Sequence, residues 1–313
     1  MRHITLILVI AGSVVLAGCA GNGGSSTESD LRGNFKQAGS STVLPVAQAW
    51  AEAFGGMHRD VQLVVSGGGT GSGFNQFCRG EIDIADASRP IKAEEQAACA
   101  AAGIEPFEIQ VAIDALAVVV SRQNDFVDHL TVEELNRIWT ADASKQANRW
   151  SELRPEWPNE RIERFGPGTD SGTFDYFIEV IIQPFDGKES KGRSDYTPSE
   201  DDNVLVQGVA PSRYAIGYFG YAYVHENADK IRAIAIDEGK GKGPIEPSGE
   251  TVAAGDYTPL ARPIFMYTKG APTGALQEYF RFGLGEEGQA LVEEVGYLRL
   301  PADRLNAMRE KVG

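Results

Sequence analysis

The chain has 313 residues, of which 42% are hydrophobic and 23% charged, so it can bury a sizeable core as two domains or one large domain. Its 44 acidic residues outnumber its 29 basic residues, and the formal net charge is −15. No Lys/Arg-rich run is present to neutralise phosphates, which argues against a nucleic-acid-binding protein.

The N-terminus has the pattern of a processing signal. Arg2 provides a positive charge, residues 4–16 are mostly apolar, and the sequence LAGC follows at 16–19. This ending resembles a bacterial lipobox, which implies cleavage before Cys19 and diacylation of its thiol; the alternative is an ordinary signal for soluble secretion. The apolar stretch is too short for a retained membrane span. We therefore expect a lipoprotein signal peptide at residues 1–18 and a Gly/Ser-rich flexible linker at residues 19–32.

Strand and helix signals then alternate, which is typical of a parallel α/β fold. Strands are predicted at Asn34–Ala38, Val61–Val65 and Ile82–Ala85, and helices from Pro45 to about Phe54, from Phe74 and over Ala93–Ala102.

Two of the strand-to-helix turns are rich in hydroxyls and glycines. The first turn, GSSTVLP at 39–45, either caps a helix or binds a ligand. In the second turn, residues 67–73, five of seven residues are Gly and the others are Thr70 and Ser72. Such a turn aims backbone amides and hydroxyls at one point, which predicts an anion site; the alternative is a flexible surface loop.

The three cysteines fit an extracytoplasmic location. Assigning Cys19 to lipid leaves Cys78 and Cys99, which we predict to form a disulfide in an oxidising compartment. The bridge would close a loop of about twenty residues, worth roughly 3 kcal/mol on the chain-entropy model. A catalytic or metal-binding pair is the alternative. The chain has no HExxH or CxxC motif, and we expect neither a metal nor a cofactor.

The long apolar run Pro106–Ser121 indicates strands that cross from one domain to another, with a hinge near Ile113. Thr131 and Glu134 form a capping box that predicts a helix to about Trp139. Further strands are predicted at Ile162–Phe165, Ala215–Val224, Ile231–Ile236 and Ala261–Thr268, helices at Phe174–Ile182 and Leu276–Val292 with a break at Gly283 and Gly285, and an exposed loop at Gly187–Asp202.

A third strand-to-helix turn, GPGTDSGT at 166–173, again combines glycines with hydroxyls. Open α/β sheets bind ligands at the carboxyl ends of their strands, so we expect the three turns to meet in a cleft between domains. Hydroxyls and helix N-terminal amides supply the donors that a small tetrahedral oxyanion needs.

Competing motifs are incomplete. The glycines at 69–73 read G-x-G-x-G, which is not the dinucleotide fingerprint, and no Gly-Lys-Ser/Thr of a P-loop exists. Residues 170–173, DSGT, spell the aspartic-protease tetrapeptide, but a second copy that would supply the partner carboxylate is missing. A hydrolase that uses Asp170 is therefore a remote alternative.

Together these segments resemble the extracytoplasmic phosphate-binding proteins of phosphate-specific ABC transporters. The resemblance implies the type 2 periplasmic binding-protein fold: two doubly wound α/β domains joined by hinge strands, with the ligand cleft between them. It implies domain I at residues 33–112 and 258–313 and domain II at 113–257. The motifs that carry it are GSSTVLP at 39–45, SGGGTGSGF at 66–74, DIADASRPI at 83–91, LTVEELNRIW at 130–139, GPGTDSGTFDYF at 166–177 and AIGYFGYAYV at 215–224.

The resemblance also implies a set of phosphate ligands, one group from each turn. The matching residues are Ser41 and Thr42 in the first turn, Thr70, Gly71 and Ser72 in the second, and Ser171, Gly172 and Thr173 in the third.

Two positions depart from the best-known family pattern. Pro167 stands where the family has an Arg, and Ser88 stands where it has the Asp that accepts a phosphate proton and thereby rejects sulfate. We hypothesise that Asp86 or Asp170 takes over as acceptor. Arg89 would supply the cation; a surface or hinge salt bridge is the alternative for this residue.

The sequence thus predicts a monomeric, lipid-anchored binding protein outside the cytoplasm, not an enzyme. Its predicted partners are inorganic phosphate and the permease subunits of an ABC transporter, with membrane contact only through the anchor and no contact with nucleic acid. Binding of another oxyanion, such as sulfate, molybdate or tungstate, is the alternative within the same class.

Overall fold

The computed structural model describes residues 31–169 and 171–313. The predicted signal peptide, most of the linker, the lipidation site Cys19 and the candidate acceptor Asp170 lie outside the described residues. No helix in the described part of the chain is both long and apolar enough to cross a bilayer.

Strands and helices alternate along the chain. The strands are β1 (Gly33–Gly39), β2 (Val61–Ser66), β3 (Ile84–Ala87), β4 (Pro106–Ser121), β5 (His129–Thr131), β6 (Glu163–Gly166), β7 (Thr197–Pro198), β8 (Ala215–Gly220), β9 (Ile231–Ala233), β10 (Ala235–Asp237) and β11 (Ala261–Lys269). The α-helices are α1 (Leu44–Met57), α2 (Thr70–Cys78), α3 (Ala93–Ala101), α4 (Val132–Trp139), α5 (Gly172–Phe177), α6 (Gln183–Asp186), α7 (Asp202–Val209), α8 (Tyr221–Glu226), α9 (Gly249–Ala254), α10 (Ala275–Gly283), α11 (Glu286–Glu294) and α12 (Ala302–Val312). A 3₁₀ turn spans Trp150–Glu152, and a π-helical turn, Ile178–Ile182, joins α5 to α6 into the 172–186 helical segment.

Most of the strands belong to one sheet, whose order is β2-β1-β3-β11-β4-β8-β6-β7, with β9 also paired to β4. β1 is parallel to both β2 and β3, whereas β11 is antiparallel to β3 and β4. The parallel arrangement of the first three strands follows from the helices that connect them. The mixed α/β architecture predicted from the sequence is confirmed.

Strand β4 belongs to both halves of this sheet. Its first part, residues 106–115, pairs with β11, and residues 116–120 pair with β8. Ile113, the predicted hinge position, exchanges two backbone hydrogen bonds with Leu298. The division into domains at 112/113 and 257/258 stays a prediction.

Local signals placed several elements correctly. The capping box of α4 is present: the Thr131 hydroxyl accepts from the Glu134 amide at 3.1 Å, and the Glu134 carboxylate accepts from the Thr131 amide at 2.8 Å. Cys78 at the end of α2 forms a disulfide with Cys99 in α3, as predicted. The predicted break in the C-terminal helical region separates α10 from α11.

Other boundaries differ from the prediction. The region 215–224 is a strand only to Gly220 and then turns into α8, and the predicted strand 231–236 is two short strands. A short run of apolar and aromatic residues does not distinguish a buried strand from a short helix, which explains why α8 was predicted as part of the strand. The third strand lies two residues further on than predicted, so Asp86 is inside β3 rather than after it.

Candidate functional site

The first turn is built on a close backbone approach. Gly39 has φ +149°, and a Cβ at this position would lie 2.1 Å from the Asp86 carbonyl oxygen, so only glycine fits. The Ser40 amide donates to that same oxygen at 2.9 Å. Val43 occupies the N-cap position of α1 without a side-chain cap. Capping of α1 therefore does not explain the hydroxyls of Ser41 and Thr42.

The second turn leads directly into a helix. Gly69 is the N-cap of α2, with φ 87° and no side-chain cap, so Thr70, Gly71 and Ser72 form the first turn of α2 instead of preceding it. A helix start without a side-chain cap leaves first-turn amides available to a ligand. The Thr70 hydroxyl lies 3.2 Å from the Ser88 hydroxyl and accepts from the Ser88 amide at 3.2 Å. The second turn therefore meets the end of β3.

A cavity of about 330 Å³, here called the hydroxyl cavity, lies between these turns and the 172–186 helical segment. It brings together six of the residues predicted from the sequence. These are Ser41, Thr42, Thr70, Gly71, Ser88 and Arg89; the rest of the lining is Ser40, Gly69, Phe174, Asp175, Ile178, Glu179, Gln183 and Lys191.

The third turn contacts the first turn but lines a different cavity. A Cβ at Gly172 would lie 3.2 Å from the Thr42 Cα and 3.3 Å from the Ser41 carbonyl oxygen. Ser171 is the N-cap of α5, and its hydroxyl accepts from the Thr173 amide at 3.1 Å. Ser171, Gly172 and Thr173 line a cavity of about 230 Å³, here called the acidic cavity.

The acidic cavity takes its name from three carboxylates, those of Asp114, Glu200 and Asp202. Burial raises the pKa of Asp114 to about 6, against the opposing effect of the Arg262 guanidinium. Burial also raises the pKa of Asp202 to about 6, although its carboxylate accepts from the Gly220 amide at 3.3 Å.

Two predicted residues line neither cavity. The Ser72 side chain is exposed on α2, and its hydroxyl accepts from the Gln76 side-chain Nε2 at 3.4 Å. Asp86 is fully buried; one carboxylate oxygen accepts from the Gln37 side chain at 2.7 Å, and the other has no hydrogen-bond partner among the described residues. Burial raises the pKa of Asp86 to about 7.

Arg89 lines the hydroxyl cavity, but its charge is shared with a neighbour. Its guanidinium donates to both carboxylate oxygens of Glu95, at 2.8 and 2.7 Å, and this pair raises the pKa of Arg89. The salt bridge, which was the alternative reading of Arg89, is therefore present. A bidentate pair of this kind neutralises most of the attraction that Arg89 would exert on an anion.

A second arginine, Arg262, lies beside the site without having been predicted from the sequence. Arg262 on β11 donates to the Thr42 hydroxyl at 2.8 Å and to Glu179 at 2.7 Å, and its Nε lies 3.5 Å from Asp114. These partners are far apart in the sequence, so no local pattern links them. A usable signal was Asp114 itself, a single acid inside the apolar run 106–121, because a buried charge requires a partner.

Within residues 31–169 and 171–313, no cluster of three or more His, Cys, Asp or Glu residues has an arrangement that could hold a metal ion.

Comparisons with known proteins agree with one another. A family model described as a PBP superfamily domain matches residues 24–287. The protein SphX of Synechocystis is 44% identical over 271 residues, which are 86% of this chain and 79% of SphX. The phosphate-binding protein PstS of Staphylococcus epidermidis is 36% identical over 297 residues, 94% of this chain and 87% of PstS. The crystal structure of "a possible phosphate binding protein" from Planctomyces limnophilus has 48% identity and a TM-score of 0.84, covering 90% of this chain and 98% of that one.

Proposed function

Because this chain belongs to the PBP superfamily and within it to the family of PstS-like phosphate-binding proteins, we propose that it captures inorganic phosphate between the two halves of its sheet. We propose further that it delivers the phosphate to the permease of an ABC transporter. The family resemblance that the sequence motifs carried is confirmed by these relatives.

The observation that carries the proposal is the convergence of hydroxyls from separate turns on one cavity. Ser41, Thr42, Thr70 and Ser88 line the hydroxyl cavity together, although they come from the first turn, α2 and the end of β3. The N-terminus of α2 lies beside them without a side-chain cap. At α1 the Val43 and Leu44 amides both donate to the Ser40 carbonyl oxygen and Pro45 has no amide proton, so α2 is the main source of free amides. Hydroxyls and free helix amides bind an oxyanion without requiring a free cation, which suits a chain with a net charge of −15.

Selectivity for phosphate over sulfate requires a proton acceptor in the site, because sulfate carries no proton at neutral pH. Asp170, which precedes Ser171, remains one proposed acceptor. Asp175 and Glu179 are two further candidate acceptors, because their carboxylates line the hydroxyl cavity. Asp86 contributes less to the proposal than the sequence suggested, because it lines neither cavity.

The proposed location is extracytoplasmic, with a lipid anchor at Cys19. Support for the anchor is the LAGC sequence at 16–19 behind an apolar run. The disulfide between Cys78 and Cys99 supports an oxidising compartment. A monomer that contacts the membrane only through its anchor, and that binds its ligand without chemical turnover, completes the proposal.

A thermal-shift panel of oxyanions tests the proposed ligand. We expect phosphate at a hundred times its Kd to stabilise the folded protein by about 2.7 kcal/mol, because only the folded state binds it. Sulfate, molybdate and tungstate at the same concentration are expected to leave the melting temperature unchanged. Sulfate binding as tight as that of phosphate would rule out the proton acceptor, and stabilisation by none of the four would refute the proposed function.

Substitution of the hydroxyls tests the site. We expect Ser41→Ala and Ser88→Ala each to weaken phosphate binding by about 1–3 kcal/mol, because each removes a hydroxyl of the hydroxyl cavity that can donate to the bound oxyanion. Isothermal titration calorimetry measures the change. Ser151→Ala is the matched control, since the Ser151 hydroxyl donates to Asn159 in an exposed hydrogen bond and lines neither cavity. Its affinity for phosphate is expected to equal that of the wild type. Unchanged affinity in both site variants would remove these residues from the site.

A further inference from the structure

We propose that Arg262 is the positioning residue that turns the Thr42 hydroxyl into a donor for the bound anion. The inference rests on the proposed function, because it concerns the same ligand. Arg262 lies on β11, paired with Asp114 on β4, the strand that both halves of the sheet share. Its side chain is only 13% exposed.

Four contacts hold the guanidinium in place. Nη2 donates to the Thr42 hydroxyl at 2.8 Å, and Nη1 donates to Glu179 at 2.7 Å. Nε lies 3.5 Å from the Asp114 carboxylate, and the guanidinium carbon lies 3.5 Å from the centre of the Tyr176 ring. A side chain held by contacts on several sides has little freedom to reorient, so the direction of its bond to Thr42 is defined.

The chemistry of the guanidinium decides which way the Thr42 hydroxyl points. A guanidinium has only donors, so the Thr42 oxygen must accept from it and must direct its own proton elsewhere. Across residues 31–169 and 171–313, no other group accepts that proton. Thr42 lines the hydroxyl cavity, so the proton is available to an oxyanion bound there. A hydroxyl that accepts from a charged donor is also a stronger donor itself.

The backbone of Thr42 is held as firmly as its hydroxyl. The buried Tyr297 hydroxyl donates to the Thr42 carbonyl oxygen at 2.7 Å, and Gly172 packs against the Thr42 Cα. Only 3% of Thr42 is exposed. The residue therefore presents its hydroxyl at one position, and Arg262 sets the orientation of the proton at that position.

Arg262 also offsets the charge of Glu179, a carboxylate in the lining of the same cavity. An effect of Arg262 on anion binding could therefore arise from Thr42 or from Glu179. The two sources make different predictions for a variant that lacks the hydroxyl, and a double-mutant cycle distinguishes them.

The test measures phosphate affinity by calorimetry in R262Q, R262K, T42V and the double variant R262Q/T42V. Glutamine removes the charged, donor-only group, and its amide oxygen can accept the Thr42 proton, whereas lysine has only donors. We expect R262Q to bind phosphate about 10-fold to 100-fold more weakly than the wild type, and R262K to stay within about threefold. In the T42V background the R262Q substitution is expected to cost less than about threefold.

Arg213→Gln is the matched control. This arginine forms an exposed ion pair with Asp125 and lines neither cavity, so its loss is expected to leave phosphate affinity unchanged. Melting temperatures of the ligand-free variants separate a loss of folding from a loss of binding.

Equal losses from R262Q in the two backgrounds would overturn the inference, because Arg262 would then act through Glu179 or through the fold. Unchanged affinity in R262Q would overturn it as well. If R262Q does not fold, R262K decides: a loss as large as that of T42V refutes the role of Arg262. Failure of the proposed function has a different outcome, because the wild type itself then binds no phosphate. The role of Arg262 would be refuted together with it.

Discussion

Asp86 combines complete burial with an incompletely satisfied carboxylate. One oxygen accepts from Gln37, whose own side-chain oxygen accepts from the Tyr279 hydroxyl at 3.2 Å. The other oxygen has no partner in the part of the chain that the structure describes. An unpaired charge in such a place is costly, so burial favours the protonated acid and raises the pKa of Asp86 to about 7. The proton on Asp86 is therefore linked to folding.

Replacement of Asp86 by Asn tests this linkage. The folded protein binds the Asp86 proton more tightly than the unfolded chain does, because the pKa of Asp86 is about 7 in the folded state and about 4 in the unfolded state. The stabilisation that this proton contributes to the folded state is complete below about pH 4 and is lost as the pH rises through about 7. Asn keeps the acceptor for Gln37 and carries no charge. We expect Asp86→Asn to remove this pH dependence and to be more stable than the wild type above about pH 7, by on the order of 1–3 kcal/mol.

Urea denaturation across this pH range measures the effect. Asp229→Asn, which changes an exposed acid, is the control and is expected to follow the wild-type curve. Parallel curves for the wild type and Asp86→Asn would contradict the assignment of the proton to Asp86.

Among the elements, α2 and α3 depend on each other for their position. The disulfide joins the C-terminal residue of α2, Cys78, to Cys99, and α3 carries Glu95, which binds Arg89. The N-terminus of α2 supplies Thr70 and Gly71 to the hydroxyl cavity. The disulfide thus lies at the base of a unit whose other end forms the proposed anion site.

Removal of the disulfide is expected to lower stability more than it lowers affinity. The bridge spans a sequence separation of 21 residues, and we expect Cys78→Ala/Cys99→Ala to reduce the free energy of unfolding by about 3 kcal/mol, since the unfolded chain regains the freedom of that loop. Urea denaturation measures the loss. A reductant should bring the wild type to the level of the variant and leave the variant unchanged; equal stabilities without reductant would show that the bridge contributes nothing.

At the scale of the whole molecule, strand β4 connects the halves of the sheet. It pairs with β11 in its first part and with β8 in its second part. The hydroxyl cavity is lined from both sides of this connection, by the hydroxyls that precede β4 and by Asp175, Glu179 and Lys191 that follow it. A ligand that contacts both sides stabilises the closed arrangement more than an open one.

Small-angle X-ray scattering tests ligand-linked closure. We expect phosphate to decrease the radius of gyration, because a ligand that contacts both sides favours the arrangement in which the third turn packs against Thr42, as it does in this structure. Sulfate at the same concentration is the control and is expected to leave the radius unchanged. A radius that does not respond to saturating phosphate would show that the cleft is already closed without ligand.

Features with a local cause could be predicted from the sequence. The capping box of Thr131 and the break between α10 and α11 depend on residues within a few positions of one another. The parallel pairing of the first strands was predictable from the alternation of strands and helices, although it joins residues far apart in the sequence. The pairing of Cys78 with Cys99 followed from the number of cysteines and the expected compartment. The hydroxyl-rich turns were recognisable as well, because helix starts that bind anions need a restricted set of residue types.

The tertiary structure alone decided how the charges are compensated. Arg89 is paired with Glu95. Arg262 bonds to both Thr42 and Glu179, which are far apart in the sequence. The tertiary structure also decided that Ser171, Gly172 and Thr173 line the acidic cavity and not the hydroxyl cavity. Hydrogen bonds and ion pairs act over a few ångströms, so their partners are set by how the strands assemble, whereas glycine conformations and helix starts are properties of the neighbouring chain.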